Sequence, residues 1–553
     1  MRLIRKTIAE CLRSRVRESA DKIALEADEQ RYTWRDLDTL SDYMVGRMLS
    51  CGIRKGTHVG IWSTNSPNWI IVFLALTKIG AVPILLNTCY STEEMAKVLR
   101  YADVEYLYYG EGYKKLVYED MVVQLKEELH DQVKRWIYIG RDTARRWMTE
   151  ESFVFAERMK KVTKEIGGYI RKVSPDDTAA ILFTSGTTAM PKGVMLSHYN
   201  LVNSSLETCE HMQWDENDKM LIAVPMFHCF GITSSLLSSI HTGFCMHVIE
   251  YYKTITVLKS VQDYHCTLLN GVPSMFLAII NNPLHKEYDL SSLRRGIIAG
   301  SPIRPEEYMM IRKEIPNLVL HASYGQTETS PCVSIGDVGD SDEDNATSAG
   351  RVIRHCEVGI LLDGKEVPAG TDGEICVRGY NVMQGYYKLP DATAKAIDAD
   401  GWLHTGDLGH IDERRFLYVT GRIKEMIIRG GENISPREIE AAIATYPGVR
   451  EVKVIGLPAA VLQEMIVACI ILEDGTTISN AGLMNHLENH LAYYKLPAHI
   501  VRMDSFPVNA SGKVMLKELK QKAAETIKAN PEVTSTGVDD RRKHGCCTRV
   551  GIF

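Results

Sequence analysis

The chain has no excess of basic charge: 64 Lys and Arg stand against 70 Asp and Glu over 553 residues, a formal net charge of −6. A protein that neutralises nucleic-acid phosphates needs the opposite balance, so no nucleic-acid partner is expected. Long apolar runs are missing too. The longest, residues 69–86, is interrupted by Lys78, Gly80 and Pro83, and predicts a buried helix followed by a buried strand, with no transmembrane segment. The N-terminal stretch MRLIRKTIAECLRSRVRESADK lacks the apolar core of a secretory signal and spreads both charge signs through an amphipathic helix. Its arginines suggest a mitochondrial presequence only faintly, because it runs straight into IALEADEQRYTWRDLDTLS, which reads as folded domain. The 13 cysteines have the spacing of neither a disulfide framework nor a zinc site, which fits a reducing cytoplasm. Internal repeats and low-complexity tracts are also absent.

At this length one core does not suffice, and at least two domains are expected. HVGIWS, AVPILLN, TAAILFT, KMLIAVP, CTLLNGV and LRRGIIAG are short apolar stretches that end in turn residues and alternate with amphipathic helical segments. That rhythm predicts an α/β protein with largely buried sheets. From about Gly350 the texture becomes Gly-rich and turn-dense, with an Asp363-Gly364 turn between strand-like runs, and predicts a small β subdomain. After GRIKEMIIRGGENISP a helix, two strands and a further helix through 483–491 predict a compact α+β domain. The expected division is 1–421, a hinge at 422–426, a C-terminal domain at 427–526, and a loosely ordered charged tail at 527–553.

The strongest chemical signal is ILFTSGTTAMPKG, a buried strand that empties into Thr184, Ser185, Gly186, Thr187 and Thr188, with Lys192 beyond. Small hydroxylated residues and glycine let amides and hydroxyls approach phosphate oxygens, and the lysine adds charge. Pro191 stands where a Walker loop requires glycine, so this is a different phosphate loop. Alone, the segment has a Ser/Thr-rich surface turn as its lesser alternative.

Further motifs follow in order: PMFHCFG at 225–231, SYGQTE at 323–328, GWLHTGD at 401–407, GRIKEMIIRGGENISP at 421–436 and NASGK at 509–513. With TSGTTAMPKG they resemble the adenylate-forming superfamily of acyl-CoA synthetases, luciferase-type enzymes and peptide-synthetase adenylation domains. The likeness spans about residues 6–525, and SYGQTETSP and MIIRGGENISP are especially similar to medium-chain fatty acyl-CoA synthetases. Ala189 departs from the family's usual glycine, a small change in loop conformation.

The resemblance implies a large N-terminal adenylation domain and a small mobile C-terminal domain. It implies that Thr184, Ser185, Gly186, Thr187, Thr188 and Lys192 cover the ATP phosphates. Gly300, Ser301 and Pro302, with Tyr324, Gly325 and Thr327, would cradle the adenine side. Glu328 would hold the magnesium that travels with ATP, Asp407 and Arg422 the ribose. Lys513 would be the catalytic lysine, with Thr187 and Glu328 beside it in the chemistry. Lys424 would be the hinge, Gly430 and Gly431 would border the coenzyme A tunnel, and Phe227, His228 and Gly231 the acyl pocket.

Other residues read as structural. His486 and His490 share a helical face, but Leu487 stands where a zinc protease would need glutamate. Cys229 follows His228 directly, and adjacent side chains on extended backbone diverge, so no Cys–His nucleophile pair is expected. The expected activity is acid–CoA ligation through an acyl-adenylate, on a medium-chain fatty acid, in the cytoplasm, by a monomer or homodimer. The alternatives are an enzyme that loads a carrier protein and a nucleotide-binding protein without turnover. Against the first, the region of Phe227 and His228 holds no aspartate for a substrate ammonium; against the second, Thr187, Lys192, Glu328, Asp407, Arg422 and Lys513 are all present.

Overall fold

Helix Pro67–Ile79 is buried along its whole apolar length, started by the Ser66 cap and Pro67 and stopped by Gly80 in the left-handed region at φ 69°. The strand Val82–Leu85 follows, fully buried. The run at 69–86 therefore divides at Gly80, as its sequence predicts. Lys78, inside that helix and inaccessible to solvent, pairs at 2.6 Å with both Asp38 and Asp42 on helix Trp34–Ser50, which offsets the cost of burying its ammonium.

These elements come from a computed structural model that describes residues 2–140, 166–184, 191–429, 432–459, 463–488, 490–491, 495–509 and 513–536. The chain forms two compact units: residues 1–359, 376–404 and 411–418 make the first, and residues 360–375, 405–410 and 419–553 the second.

The first unit contains two large sheets. In one, nine strands run in the order 351–352, 334–335, 319–324, 295–298, 268–269, 219–222, 245–248, 23–27, 30–33. Its centre is parallel, with Arg295–Ile298 beside Val319–Tyr324 in the register Ile298↔Ala322. The other has seven strands in the order 385–386, 192–197, 178–184, 82–85, 58–62, 106–109, 135–138, again with a parallel centre. Strands buried on both faces need the near-continuous apolar runs that the sequence supplies. The amphipathic N-terminal segment is helix Ile8–Ser19, opened by a Thr7–Glu10 capping box, and its Ile8 and Leu12 are buried in the core.

Beyond residue 350 the chain turns to short strands, including Cys356–Leu362, Gly373–Gly379, Leu403–Ile411 and Leu417–Arg422. Leu362 pairs with Lys365 across Asp363 and Gly364, both at positive φ (50° and 74°), as the two-residue hairpin predicted there requires.

In the second unit, the hairpin Val449–Ala459 and Gln463–Leu472 anchors a sheet with His499–Arg502, Ile427–Arg429 and Glu432–Ile434. Alternate residues of its inner strand face two cores. Ile466, Ala468 and Ile470 join Ile439, Ile443, Leu483 and Leu487, while Val467, Cys469 and Ile471 join Leu519 and Ala523. The first ten residues of the stretch expected to be loose, 527–536, are ordered against the domain. Helix Leu516–Ala529 and the turn Pro531–Thr534 continue the fold, Ser535 bridges to His499, and the Thr536 hydroxyl donates to Pro497 O at 2.7 Å. Composition signalled disorder here, but these specific contacts fix the backbone through Thr536.

Candidate active site

The residues singled out by the sequence fall in both units. In the first, the antiparallel pair Thr178–Thr184 and Lys192–Ser197 sets Thr184 opposite Lys192, so the two ends of the phosphate-loop segment lie one strand spacing apart. Ser185, Gly186, Thr187 and Thr188, between them, lie outside the described residues. The Lys192 ammonium lies 4.3 Å from the centre of the Tyr386 ring. The Tyr386 hydroxyl in turn donates to Glu328 Oε1 at 2.9 Å.

Glu328 occupies the one-turn helix Thr327–Thr329, just past strand Val319–Tyr324, and is 8% exposed. A tight fold-back builds this corner. Gln326 N–H donates to Thr329 Oγ1 and Val333 N–H to Tyr324 O, and a Cβ on Gly325 would lie 1.7 Å from Pro331 O. Only glycine permits that approach. Magnesium with a nucleotide typically takes one or two protein carboxylates and fills its other positions with phosphate and water. Glu328 fits that demand, because one oxygen is oriented by the Tyr386 phenol and no second donor reaches the carboxylate among the described residues.

The parallel register places a second group next to this corner. Gly300 is two residues beyond Ile298 and Tyr324 two beyond Ala322, so Gly300, Ser301 and Pro302 emerge beside Tyr324 at the C-terminal ends of adjacent strands. Open parallel sheets bind ligands at that edge. Gly300 turns at φ +87° and all three residues are exposed.

From the same sheet, Lys219–Ile222 leads into Phe227 and His228, whose rings lie 4.6 Å apart. His228 caps the short helix Cys229–Gly231. The residue is half-buried, and its Nε2 is shielded and has no hydrogen-bond partner among the described residues. Burial pushes its pKa down to about 4, so the imidazole is neutral near pH 7. Gly231 is required by contact: a Cβ there would lie 2.3 Å from Pro225 O. A buried π-helical turn, Ile232–Leu237, follows.

Three residues without a motif of their own support this unit. Asn65 clamps the segment before His228, donating to Val224 O and accepting from Met226 N–H. Asn270 donates to Ser234 O in the π-helical turn and accepts from Ile297 N–H. Tyr386 is the third. A buried Asn signals a polar clamp only once its burial is known, and the sequence pattern does not reveal which backbone it meets.

In the second unit, Asp407 is 2% exposed and receives Arg422 Nε at Oδ1, 2.7 Å away. Gly406 at φ +71° turns the strand so that Asp407 N–H donates to Thr405 Oγ1. Arg422 starts the short turn Ile423–Glu425, which contains Lys424; Gly430 and Gly431 lie outside the described residues. Asn509 N–H donates to Lys513 O, and Lys513 N–H donates to Asn509 Oδ1, both at 2.9 Å. The Lys513 side chain retains access to solvent, but the protein packed around the ammonium lowers its pKa. Arg422 lowers it further, against the opposing pull of Glu425 and Asp407. Lys513, Arg422 and Asp407 therefore share one electrostatic neighbourhood.

The AMP-binding enzyme profile matches residues 12–387, and that of the AMP-binding enzyme C-terminal domain matches residues 438–513. This chain belongs to the AMP-binding enzyme family. Family relatives include a putative acyl-CoA synthetase, YngI, of Bacillus subtilis, 37% identical over 95% of this chain and 98% of its own length. The mitochondrial medium-chain acyl-CoA ligase ACSF2 of Bos taurus is 31% identical over 95% and 89%. Among solved structures, ATP-bound MatB of Rhodopseudomonas palustris superposes with a TM-score of 0.81 at 25% identity, covering 94% of this chain and 99% of that one. The o-succinylbenzoate CoA synthetase of Bacillus subtilis, in complex with an acyl-adenylate intermediate, gives 0.77 at 27% with the same coverage. The family's mixed α/β architecture, a large and a small domain, is the fold of this chain. Among the described residues, no helix is long and apolar enough to cross a membrane.

Proposed function

We propose that this AMP-binding enzyme is an ATP-dependent acid–CoA ligase, converting a carboxylic acid, ATP and coenzyme A to acyl-CoA, AMP and pyrophosphate. The observation that carries the reading is the grouping of Lys192, Tyr386 and Glu328 beside Thr184, at the mouth of a phosphate loop. The acid's carboxylate oxygen attacks the α-phosphorus of ATP, and the bond to pyrophosphate breaks. Thr184 and Lys192, with Ser185, Gly186, Thr187 and Thr188, hold the phosphates in line. Glu328 holds magnesium, which when bound neutralises charge on the phosphate oxygens. Asp407, with Arg422, accepts from the ribose hydroxyls, and Tyr324 offers its ring to adenine above Gly300, Ser301 and Pro302.

Negative charge gathers between carboxylate and α-phosphate as the bond forms, and Lys513 supplies the ammonium that stabilises it more in the transition state than in the ground state. The thiol of coenzyme A then attacks the acyl carbonyl and AMP leaves. Lys513 has no role in that second step, and Lys424 is the hinge that withdraws it. Gly430 and Gly431 border the thiol's approach. The neutral His228 with Phe227 and Gly231 forms an apolar entrance to the acyl pocket, and His228 carries no proton in the reaction.

Similarity to ACSF2, a medium-chain acyl-CoA ligase, and to the acyl-CoA synthetase YngI supports a medium-chain fatty acid as substrate. The cysteine pattern supports a cytoplasmic enzyme. AMP release is the test, measured with ATP, magnesium and coenzyme A over linear fatty acids, aryl acids and amino acids. Release that needs both coenzyme A and a medium-chain acid is expected. Acid-dependent pyrophosphate exchange without coenzyme A-dependent AMP release would replace this reading with a carrier-loading enzyme.

A further inference from the structure

Lys192 and Glu328 are opposite charges held by the same side chain without meeting. The two-residue strand Gly385–Tyr386 pairs antiparallel with Lys192–Ser197, and Tyr386 lies opposite Val194. Lys192 is two residues from Val194 and so points to the same face, within diagonal reach of the Tyr386 ring. The ring takes the ammonium at 4.3 Å from its centre, and the hydroxyl takes Glu328 Oε1 at 2.9 Å. Among the described residues Lys192 forms no ion pair.

The tyrosine itself is fixed from behind. Its backbone N–H donates to Thr393 Oγ1 at 2.9 Å, and Gly385 precedes it at φ +141°. Tyr386 is 8% exposed, so the ring is held in place by its surroundings. A buried carboxylate with no donor would attract the nearest ammonium, and a lysine stem is long and flexible enough to swing to it. A Lys192–Glu328 pair would consume the phosphate-binding cation and the magnesium-binding anion together.

We propose that Tyr386 is a positioning residue that keeps Lys192 and Glu328 apart in the empty enzyme, presenting the ammonium to nucleotide phosphate and the carboxylate to its magnesium. This rests on the ligase reading, in which those two groups serve ATP. It gives a role to a residue that touches the two charged groups and no reacting atom.

The test uses the full-length protein and isothermal titration calorimetry with the β,γ-methylene analogue of ATP, with and without magnesium. Wild-type protein is the control for the ligase reading: failure to bind the analogue overturns that reading and says nothing specific to Tyr386. With wild-type binding in hand, Tyr386→Phe keeps the ring and removes the hydroxyl. It should reduce the tightening by magnesium about tenfold, the scale of one charge-assisted hydrogen bond, and lower the magnesium-free affinity too, because the freed carboxylate draws Lys192 away from the phosphate, while the melting temperature holds. Tyr386→Leu removes both contacts and should lower the magnesium-free affinity further. In a Glu328→Gln background, Tyr386→Phe should have no further effect on the magnesium response, because the hydroxyl acts through that carboxylate. Wild-type magnesium tightening in Tyr386→Phe, or losses that add in full to those of Glu328→Gln, would overturn the proposal.

Discussion

Arg422 Nε meets Asp407 Oδ1 at 2.7 Å, joining an exposed guanidinium at the start of a short turn to a carboxylate that is almost wholly buried on strand Leu403–Ile411. The pair fixes the orientation of the carboxylate that the proposed function assigns to the ribose. Asp407→Asn keeps the shape and removes the charge. Nucleotide affinity should fall by about 1.5–3 kcal/mol, the range for hydrogen bonds to a charged group, while the KM for the acid stays within a few-fold. Calorimetric titration with an ATP analogue reads the first and initial rates the second. An unchanged nucleotide affinity would remove Asp407 from the ribose site.

The role proposed for Lys513 separates the two half-reactions. Lys513→Ala should slow acid-dependent pyrophosphate exchange by roughly a hundred- to a thousand-fold, the scale of one preorganised charge at a transition state. Thioester formation from supplied acyl-adenylate should change only a few-fold. Its lowered pKa also fixes the direction of a pH effect. The cationic form is lost as pH rises, at a lower pH than for an ordinary lysine, so adenylation should fall early on the alkaline side. Lys513→Arg keeps the charge at any accessible pH, and its slower exchange should lack that limb. Equal damage to both half-reactions by the alanine variant would reject the assignment.

Much of this architecture is legible in the sequence because it is local. The apolar stretches are strands, the Asp363-Gly364 turn closes a hairpin, and the break at Gly80 ends a buried helix. The phosphate-loop segment and SYGQTE are contiguous motifs, so their residue types identify themselves. Tyr386 has no such motif, because its role arises from the pairing of its strand with residues almost two hundred positions earlier. Asn65 and Asn270 depend in the same way on backbone groups far along the chain. The helix through Ala529 was hidden by charged composition, since its burial rests on a few residues such as Leu519 and Ala523.

Gly325 tests whether the corner that carries Glu328 is as tight as the distances indicate. Gly325→Ala puts a Cβ against the Pro331 carbonyl, backbone against backbone, where no side chain can yield. The expected cost is about 1–3 kcal/mol of stability, together with weaker magnesium-dependent nucleotide binding as Glu328 shifts. Gly339→Ala is the matched control, with nothing within 4 Å of its added Cβ and no positive φ, and its unfolding midpoint should stay near wild type. Equal midpoints for the two variants would show that the corner relaxes freely.

His211 makes stability depend on pH in a direction that can be derived. On helix His198–Met212 its Nδ1 lies 2.8 Å from Asp337 Oδ1 and its Nε2 3.3 Å from Glu207 Oε1; Arg351 faces Asp337, and Arg354 faces Glu207. Burial alone would lower its pKa, but the Asp337 and Glu207 carboxylates outweigh it and raise the pKa to about 9 from an ordinary 6.5. The folded state therefore binds a proton that the unfolded chain has released between those values. The stabilisation is complete below about pH 6.5 and is lost as pH rises through about 9, with a span of about 3 kcal/mol. His211→Gln cannot take up the proton, and it leaves the two carboxylates without a cation between them. It should be less stable than wild type at pH 6 and approach wild type by pH 10 in urea unfolding. A stability difference that is constant between these pH values would show that His211 does not hold the extra proton in the folded state.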